Sequence, residues 1–161
     1  MIRSVAALKA ALAFVAAHFS PRAEAAEHLQ ELGRRYRVDP FTVVSVVTGE
    51  SHWNPSVIGA AGEVGLGQVK PRSPEHAVAL LDWRVNLTAT AGALAAWREF
   101  CQKRVGSALA VYFLQGYQGY DANRGTTCGH RKVRGRWVAQ PIPELTRKVL
   151  ARRAELARRF G

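Results

Sequence analysis

Acidic side chains are scarce in this sequence: 12 Asp and Glu stand against 23 Lys and Arg over 161 residues, a formal net charge of +11. Long apolar runs are missing too. No uncharged stretch reaches the roughly 20 residues that a membrane-spanning helix needs, so a polytopic membrane protein is excluded and no transmembrane span is expected. Cysteine is limited to Cys101 and Cys128. The five histidines, His18, His28, His52, His76 and His130, are scattered without the paired spacing of a zinc site. No metal and no cofactor are expected. Internal repeats, low-complexity segments and a second domain are also missing. What the chain does have is 48% hydrophobic residues. That is enough to bury one domain-sized core, and it excludes a disordered basic tail.

The charge is unevenly spread. Residues 26–121 carry nine basic and nine acidic side chains and are neutral, whereas residues 122–161 carry eleven basic residues against Glu144 and Glu155. A neutral working body with a +9 flank is the pattern of a domain that meets an anionic polymer or surface. Part of that flank, residues 147–159, also fits the solvated face of a last helix.

Two readings compete at the N-terminus. Arg3 and Lys9 form a basic start, Ala10 to Ala17 a short apolar stretch, and Ala23-Glu24-Ala25 a small-x-small cleavage pattern. Together these describe a secretory signal over residues 1–25, with a mature domain over 26–161 and a periplasmic or secreted location. The alternative is an ordinary first helix with Val5, Leu8, Leu12 and Val15 as its stripe. In an exported protein Cys101 and Cys128 would pair, which is worth roughly 3 kcal/mol. In a cytosolic one they would be two buried thiols, and two cysteines alone do not decide between these.

The chain reads as all-α, a single domain with an irregular loop or small hairpin near residues 120–140. Leu29, Leu32 and Tyr36 space an amphipathic helix that ends near Val38. Asp39 caps a second helix that Pro40 opens. The β-branched Val43, Val44, Val46 and Val47 could be taken for a strand, but the cap, the proline and the length favour helix. Glu50 falls at its end. Residues 51–75 form a long structured loop. Asn86 is placed as the cap of a long helix carrying Leu87, Ala91, Leu94 and Cys101. Ala108, Val111, Tyr112 and Gln115 continue as a buried helix, and Pro143 opens the last one, with Leu145, Val149, Leu156 and Phe160 inward.

The chemistry concentrates in Gly49-Glu50-Ser51-His52-Trp53-Asn54-Pro55 and Gly62-Glu63-Val64-Gly65-Leu66-Gly67-Gln68-Val69-Lys70-Pro71. A carboxyl group at the end of an apolar helix, with Val46 and Val47 one turn behind it and Trp53 beside it, is partly desolvated. Desolvation and the negative end of the helix dipole both raise its pKa, as a general acid working near neutral pH requires. The plain alternative is a Glu that caps or salt-bridges a loop.

These residues resemble the soluble lytic transglycosylase (SLT) family, whose domain has a goose-type-lysozyme-like fold. Glu50-Ser51, Trp53-Asn54-Pro55, Gly62, Gly65-Leu66, Gln68 and Pro71 match its motif in order and spacing. Asn86-Leu87 with Gly92 and Leu94, the segment Ala108 to Tyr112, and Ile142 to Arg147 extend the likeness over about residues 30–150. The resemblance implies a lysozyme-like single domain that cuts the β-1,4 bond between N-acetylmuramic acid and N-acetylglucosamine in peptidoglycan. Glu50 would act as acid and then as base, giving a 1,6-anhydro product. It further implies that Ser51 orients the Glu50 loop, that Gln68 contacts the sugar, that Tyr112 lines the cleft, and that Glu144 lies near it.

The chain departs from the family at three places. Gly67 replaces the usual Met, the family's Tyr-Asn-Ala-Gly becomes Tyr112-Phe113-Leu114-Gln115-Gly116, and Glu63 replaces a small residue. Gln115 is a candidate polar substitute for the missing Asn. Glu63 is either a solvated loop charge or a second carboxylate suited to a hydrolase. Tyr117 and Tyr120 offer flat faces for sugar stacking, whereas Trp83, Trp97 and Trp137 are assigned to packing.

The expected partner is the peptidoglycan strand, in a setting that includes secretion, conjugation or phage assemblies, with no nucleic acid expected. The rival readings are a lysozyme-type hydrolase, a non-catalytic glycan-binding domain, and a nucleic-acid-binding module. Arg131-Lys132, Arg134, Arg136 and Trp137 carry the last of these.

Overall fold

Asp39 and Pro40 fix the centre of the fold. In the computed structural model, which describes residues 2–161, the helix Pro40–Ser51 (α3) has every side chain from Pro40 to Thr48 buried. Proline at its first position needs no hydrogen-bond partner, and the Asp39 carboxylate accepts from the Phe41 amide at 3.0 Å. The β-branched valines are helical because burial on all sides outweighs their weak strand preference. Its polar side chains do not disturb this: Ser45, Thr48 and Ser51 donate back to the carbonyls of Phe41, Val44 and Val47.

The other helices wrap α3. Val5–Val15 (α1) and Arg22–Tyr36 (α2) pair with each other, and Glu144–Phe160 (α8) packs along α3. Trp83–Val105 (α5) spans the domain and packs against Ala110–Tyr117 (α6). Two short helices, Pro74–Ala79 (α4) and Tyr120–Arg124 (α7), complete the set. Among the described residues the only sheet is the hairpin His130–Val133 (β1) with Arg136–Ala139 (β2). Its two-residue turn, Arg134-Gly135, has both φ angles positive, as a tight hairpin requires. The fold is therefore mainly α, with the small hairpin inside the 120–140 segment, as expected.

The N-terminal segment is built into this core. Leu8, Ala11 and Leu12 of α1 are fully buried, and Arg3 donates two hydrogen bonds to the Asp39 carboxylate at 2.9 and 3.0 Å. The Arg3 guanidinium also covers the Phe41 ring at 4.2 Å. Ala23-Glu24-Ala25 lies within α2, and Ala25 has no exposed surface.

Two local expectations change. The cap of α5 is Asp82, whose carboxylate accepts from the amides of Arg84 and Val85. Asn86 sits one turn inside that helix, fully buried, and holds the loop instead. Its amide nitrogen donates to Val64 and Leu80 carbonyls at 2.8 and 2.9 Å, and its oxygen accepts from the Gly67 amide at 2.8 Å. In α8, Val149 and Leu156 face inward while Leu145 is more than half exposed. Cys101 of α5 and Cys128, just before β1, form a disulfide across 27 residues. Closing a loop of that length contributes about 3.5 kcal/mol.

Candidate active site

Glu50 lies at the last turn of α3, half-buried, on the boundary between two cavities. The larger, about 630 Å³, is walled by the 52–73 loop (Gly59, Glu63, Gln68, Lys70), by Trp97 of α5, and by Tyr117 and Gln118. The smaller, about 280 Å³, lies between the end of α3 and α8 and shares Glu50 and Gln118 with the first. Among the described residues none donates a hydrogen bond to the Glu50 carboxyl group. Burial pushes its pKa up to about 7, and the neighbouring Glu63 carboxylate adds to the rise. The direction is the one expected from the sequence. The charge that reinforces it is Glu63, where the helix end had been given that part.

The loop's shape follows from close approaches that only small residues permit. Gly59 and Glu63 pair through their backbones, Gly59 N–H donating to Glu63 O at 2.8 Å. A Cβ on Gly59 would collide with the Glu63 carboxylate and the Gln68 amide oxygen. Gln68 adopts a positive φ, and its amide nitrogen donates to the carbonyls of Val57 and Gly65 at 3.1 and 3.0 Å. Gln68 is thus held at the cavity wall with its orientation set. Glu63 accepts from the Ala61 amide at 3.2 Å and faces the same cavity.

Gly67 is explained by its neighbours. A Cβ there would meet the Thr90 side chain and the Tyr117 hydroxyl. Tyr117 donates to the Gly67 carbonyl at 2.6 Å, and burial raises the pKa of its phenol. The tyrosine thus occupies space that a longer residue at position 67 would need. Trp97 stands against Gly116, where a Cβ would enter its ring, and turns one face to the cavity.

Glu50, Glu63 and Gln68 therefore come together, while the other four residues proposed from the sequence lie elsewhere. Tyr112 packs against His130 with ring centroids 4.4 Å apart and does not line either cavity. Gln115 is fully buried; its amide donates to Val111 O, and Arg124 donates to its oxygen. The places expected for this pair belong to Tyr117 and Gln118. Their signal was in the sequence, since Tyr117-Gln118 repeats the aromatic–amide order of the family motif five residues later. Ser51 is buried, donates to Val47 O, and faces a separate hollow of about 660 Å³ beside Trp53 and Trp83. Glu144 is exposed and pairs with Lys148 at 3.2 Å. Tyr120, offered as a stacking face, opens α7 outside both cavities. Trp97, assigned to packing, lines the larger one.

Sequence reasoning passed over Gln118 and its holder altogether. Thr146, fully buried on α8, donates its hydroxyl to the Gln118 side-chain oxygen at 2.6 Å. That contact fixes the oxygen end of Gln118 and leaves its amide N–H groups without a protein acceptor among the described residues.

A mainly α lysozyme-like domain with one carboxylic acid of raised pKa at a cleft is the kind of protein defined so far. The sequence model of the Transglycosylase SLT domain matches residues 27–109, from α2 through the end of α5 and just beyond, and the chain belongs to that family. Membership implies transglycosylase-type cleavage of peptidoglycan. Neither the curated proteins nor the solved structures contain a match to the chain.

Proposed function

We propose that the chain is a lytic transglycosylase that cuts between N-acetylmuramic acid and N-acetylglucosamine, with Glu50 as its single acid and base. The observation that carries this reading is the Glu50 carboxyl group, held near pKa 7 at the junction of two cavities. Near neutral pH such a group is part protonated, so it can give a proton and take one back. Glu50 protonates the glycosidic oxygen as the bond to C1 breaks, and the muramic acid N-acetyl oxygen stabilises the positive C1. The C6 hydroxyl then attacks C1 and gives its proton to the Glu50 carboxylate, which closes the 1,6-anhydro ring without consuming water. Gln68 and Gln118 supply amide contacts to the sugar, and Tyr117 and Trp97 supply flat walls.

Incubation of purified peptidoglycan with the protein and mass spectrometry of the released fragments tests this. Anhydro-muropeptides, lighter by one water than hydrolysis products, are expected. Products carrying that water would sink the transglycosylase reading and favour the second one. That second reading is a hydrolase in which Glu63 directs water onto C1, and it is supported by the position of Glu63 in the same cavity as Glu50.

The domain is proposed to work outside the cytoplasm, where its substrate is and where the Cys101–Cys128 disulfide persists. The packing of α1 supports a working domain that retains residues 2–25. Amino-terminal sequencing of exported protein should then find residues ahead of Ala25; a start at Ala26 would show that the helix is a leader.

A further inference from the structure

The two cavities that meet at Glu50 differ in charge. On the loop side, Glu50 and Glu63 face a single cation, Lys70. On the α8 side, Glu50 shares the cavity with Lys148, Arg152 and the imidazole of His52, and Gln118 lines the shared edge. The neighbouring acids do not cancel this. Glu144 pairs with Lys148 at 3.2 Å, but both side chains are well exposed, and an exposed pair of this kind exchanges readily for another partner. Glu155 pairs with Arg158 and Arg159; its charge also reaches Arg152 but makes no hydrogen bond to it among the described residues. Arg152 anchors itself through one nitrogen, Nη1, which donates to the Ser45 carbonyl at 3.2 Å. Its remaining N–H groups have no protein acceptor among the described residues. Leu145, more than half exposed at the rim, gives the cavity an apolar lip.

A bare chain of neutral sugars has no use for such a cavity. In peptidoglycan, however, every muramic acid bears a peptide with free carboxylates, and the sugar at the cut bond sits against Glu50. We propose that the cavity between α3 and α8 is a subsite for a carboxylate of that peptide, bound by Lys148 and Arg152. The inference rests on the catalytic reading above for the identity of the substrate. It adds that the polarity of the cleft sets the direction in which the strand lies, with the peptide-bearing sugar's substituent toward α8.

The test separates this from the cleavage reaction. Two tetrasaccharide-peptides are compared, identical except that the peptide carboxylates are free in one and amidated in the other. Binding is measured by calorimetry on the Glu50→Gln chain, so that turnover does not interfere. The free-carboxylate form is expected to bind about three- to tenfold tighter, with the difference shrinking as salt is raised. Lys148→Gln should remove most of that difference and Lys148→Arg should restore it. Because the Lys148 side chain is 60% exposed, these variants are expected to fold. Equal binding of the two ligands, binding of neither, or a difference that survives Lys148→Gln overturns the proposal. Fragment release by the unaltered chain is scored separately. A chain that cuts both forms alike keeps the catalytic reading and loses the subsite, while one that discriminates in binding but cuts neither keeps the subsite and loses the catalytic reading.

Discussion

The two walls of the cleft are built differently. Residues 27–109, the stretch matched by the family, hold their side chains against backbone groups. Gln68 is tied to two carbonyls, Asn86 knots the loop to α5, and Gly67 leaves room for Thr90 that a side chain there would take. The wall from residue 110 onward holds its groups side chain to side chain: Thr146 on Gln118, Lys148 in exchange with Glu144. A backbone frame is hard to alter without losing the loop, whereas a side-chain frame changes one residue at a time. In the proposed reaction the first wall supplies the acid, and the second is where substrate preference can vary.

If that division is correct, the largest effect comes from the first wall. Glu50→Gln should lower fragment release by about 10³-fold, at the scale of a lost general acid, as read by chromatography of digests. The same variant should be more stable at high pH. The folded-state pKa of Glu50 lies above its unfolded value, so the folded protein holds a proton that it must give up as pH rises through about 7. Its contribution to stability is therefore full below about pH 4.5 and lost above about 7. Thermal melting should show Glu50→Gln gaining on the order of 2 kcal/mol at pH 8 and nothing at pH 4. A gain over the unaltered chain no larger at pH 8 than at pH 4 would remove the argument for a desolvated acid.

Next in size is the bond that ties the walls together. Replacing Cys101 and Cys128 by Ser should cost about 3.5 kcal/mol, seen as an earlier urea midpoint. An unchanged midpoint would mean that the second wall does not depend on the first.

Glu63→Gln sharpens the comparison from within the loop. Removing the like charge lets the Glu50 pKa fall, so the alkaline limb of kcat/KM moves toward lower pH by up to about one unit. A wholesale loss of rate at every pH would instead make Glu63 a reacting group. The smallest effect belongs to Thr146→Val, which frees Gln118. It should raise KM a few-fold and cost about 1 kcal/mol of stability. A fall in kcat with KM unchanged would move Gln118 from the side-chain frame into the chemistry.

The same division explains what could be read from the sequence. Asp39-Pro40 and the valines specify α3, and the distance from that cap to Glu50 puts the acid at the helix end. The spacing Gly65-Leu66-Gly67-Gln68 specifies a loop bent back on itself. Local chemistry decides these features, so a linear reading finds them. The second wall depends on which face of α6 meets the cleft, and two tyrosines five residues apart lie on different faces. Packing of Gly116 under Trp97 selects Tyr117 and turns Tyr112 to His130. Helical periodicity does not make that choice; its one cue in the sequence is that Tyr117-Gln118 repeats the aromatic–amide order of the family motif. Asn86 was misplaced for a related reason, since an Asn near a helix start reads as a cap until Asp82 is seen to hold that position. Glu144 is exposed and spends its charge on Lys148, while its neighbour Leu145 takes the place at the cavity rim.

The chain's two ends also meet at the foot of α3. A Cβ on Gly161 would lie 3.0 Å from the Arg3 guanidinium, itself clasped to the cap of the helix that bears Glu50. A short linker from Gly161 to Ile2 would span that gap, and the exposed Arg134-Gly135 turn offers a place to open the chain again. A chain rejoined there and reopened at the hairpin would turn the clasp on α3 into an internal loop, so that the cap of the Glu50 helix no longer hangs on a free end.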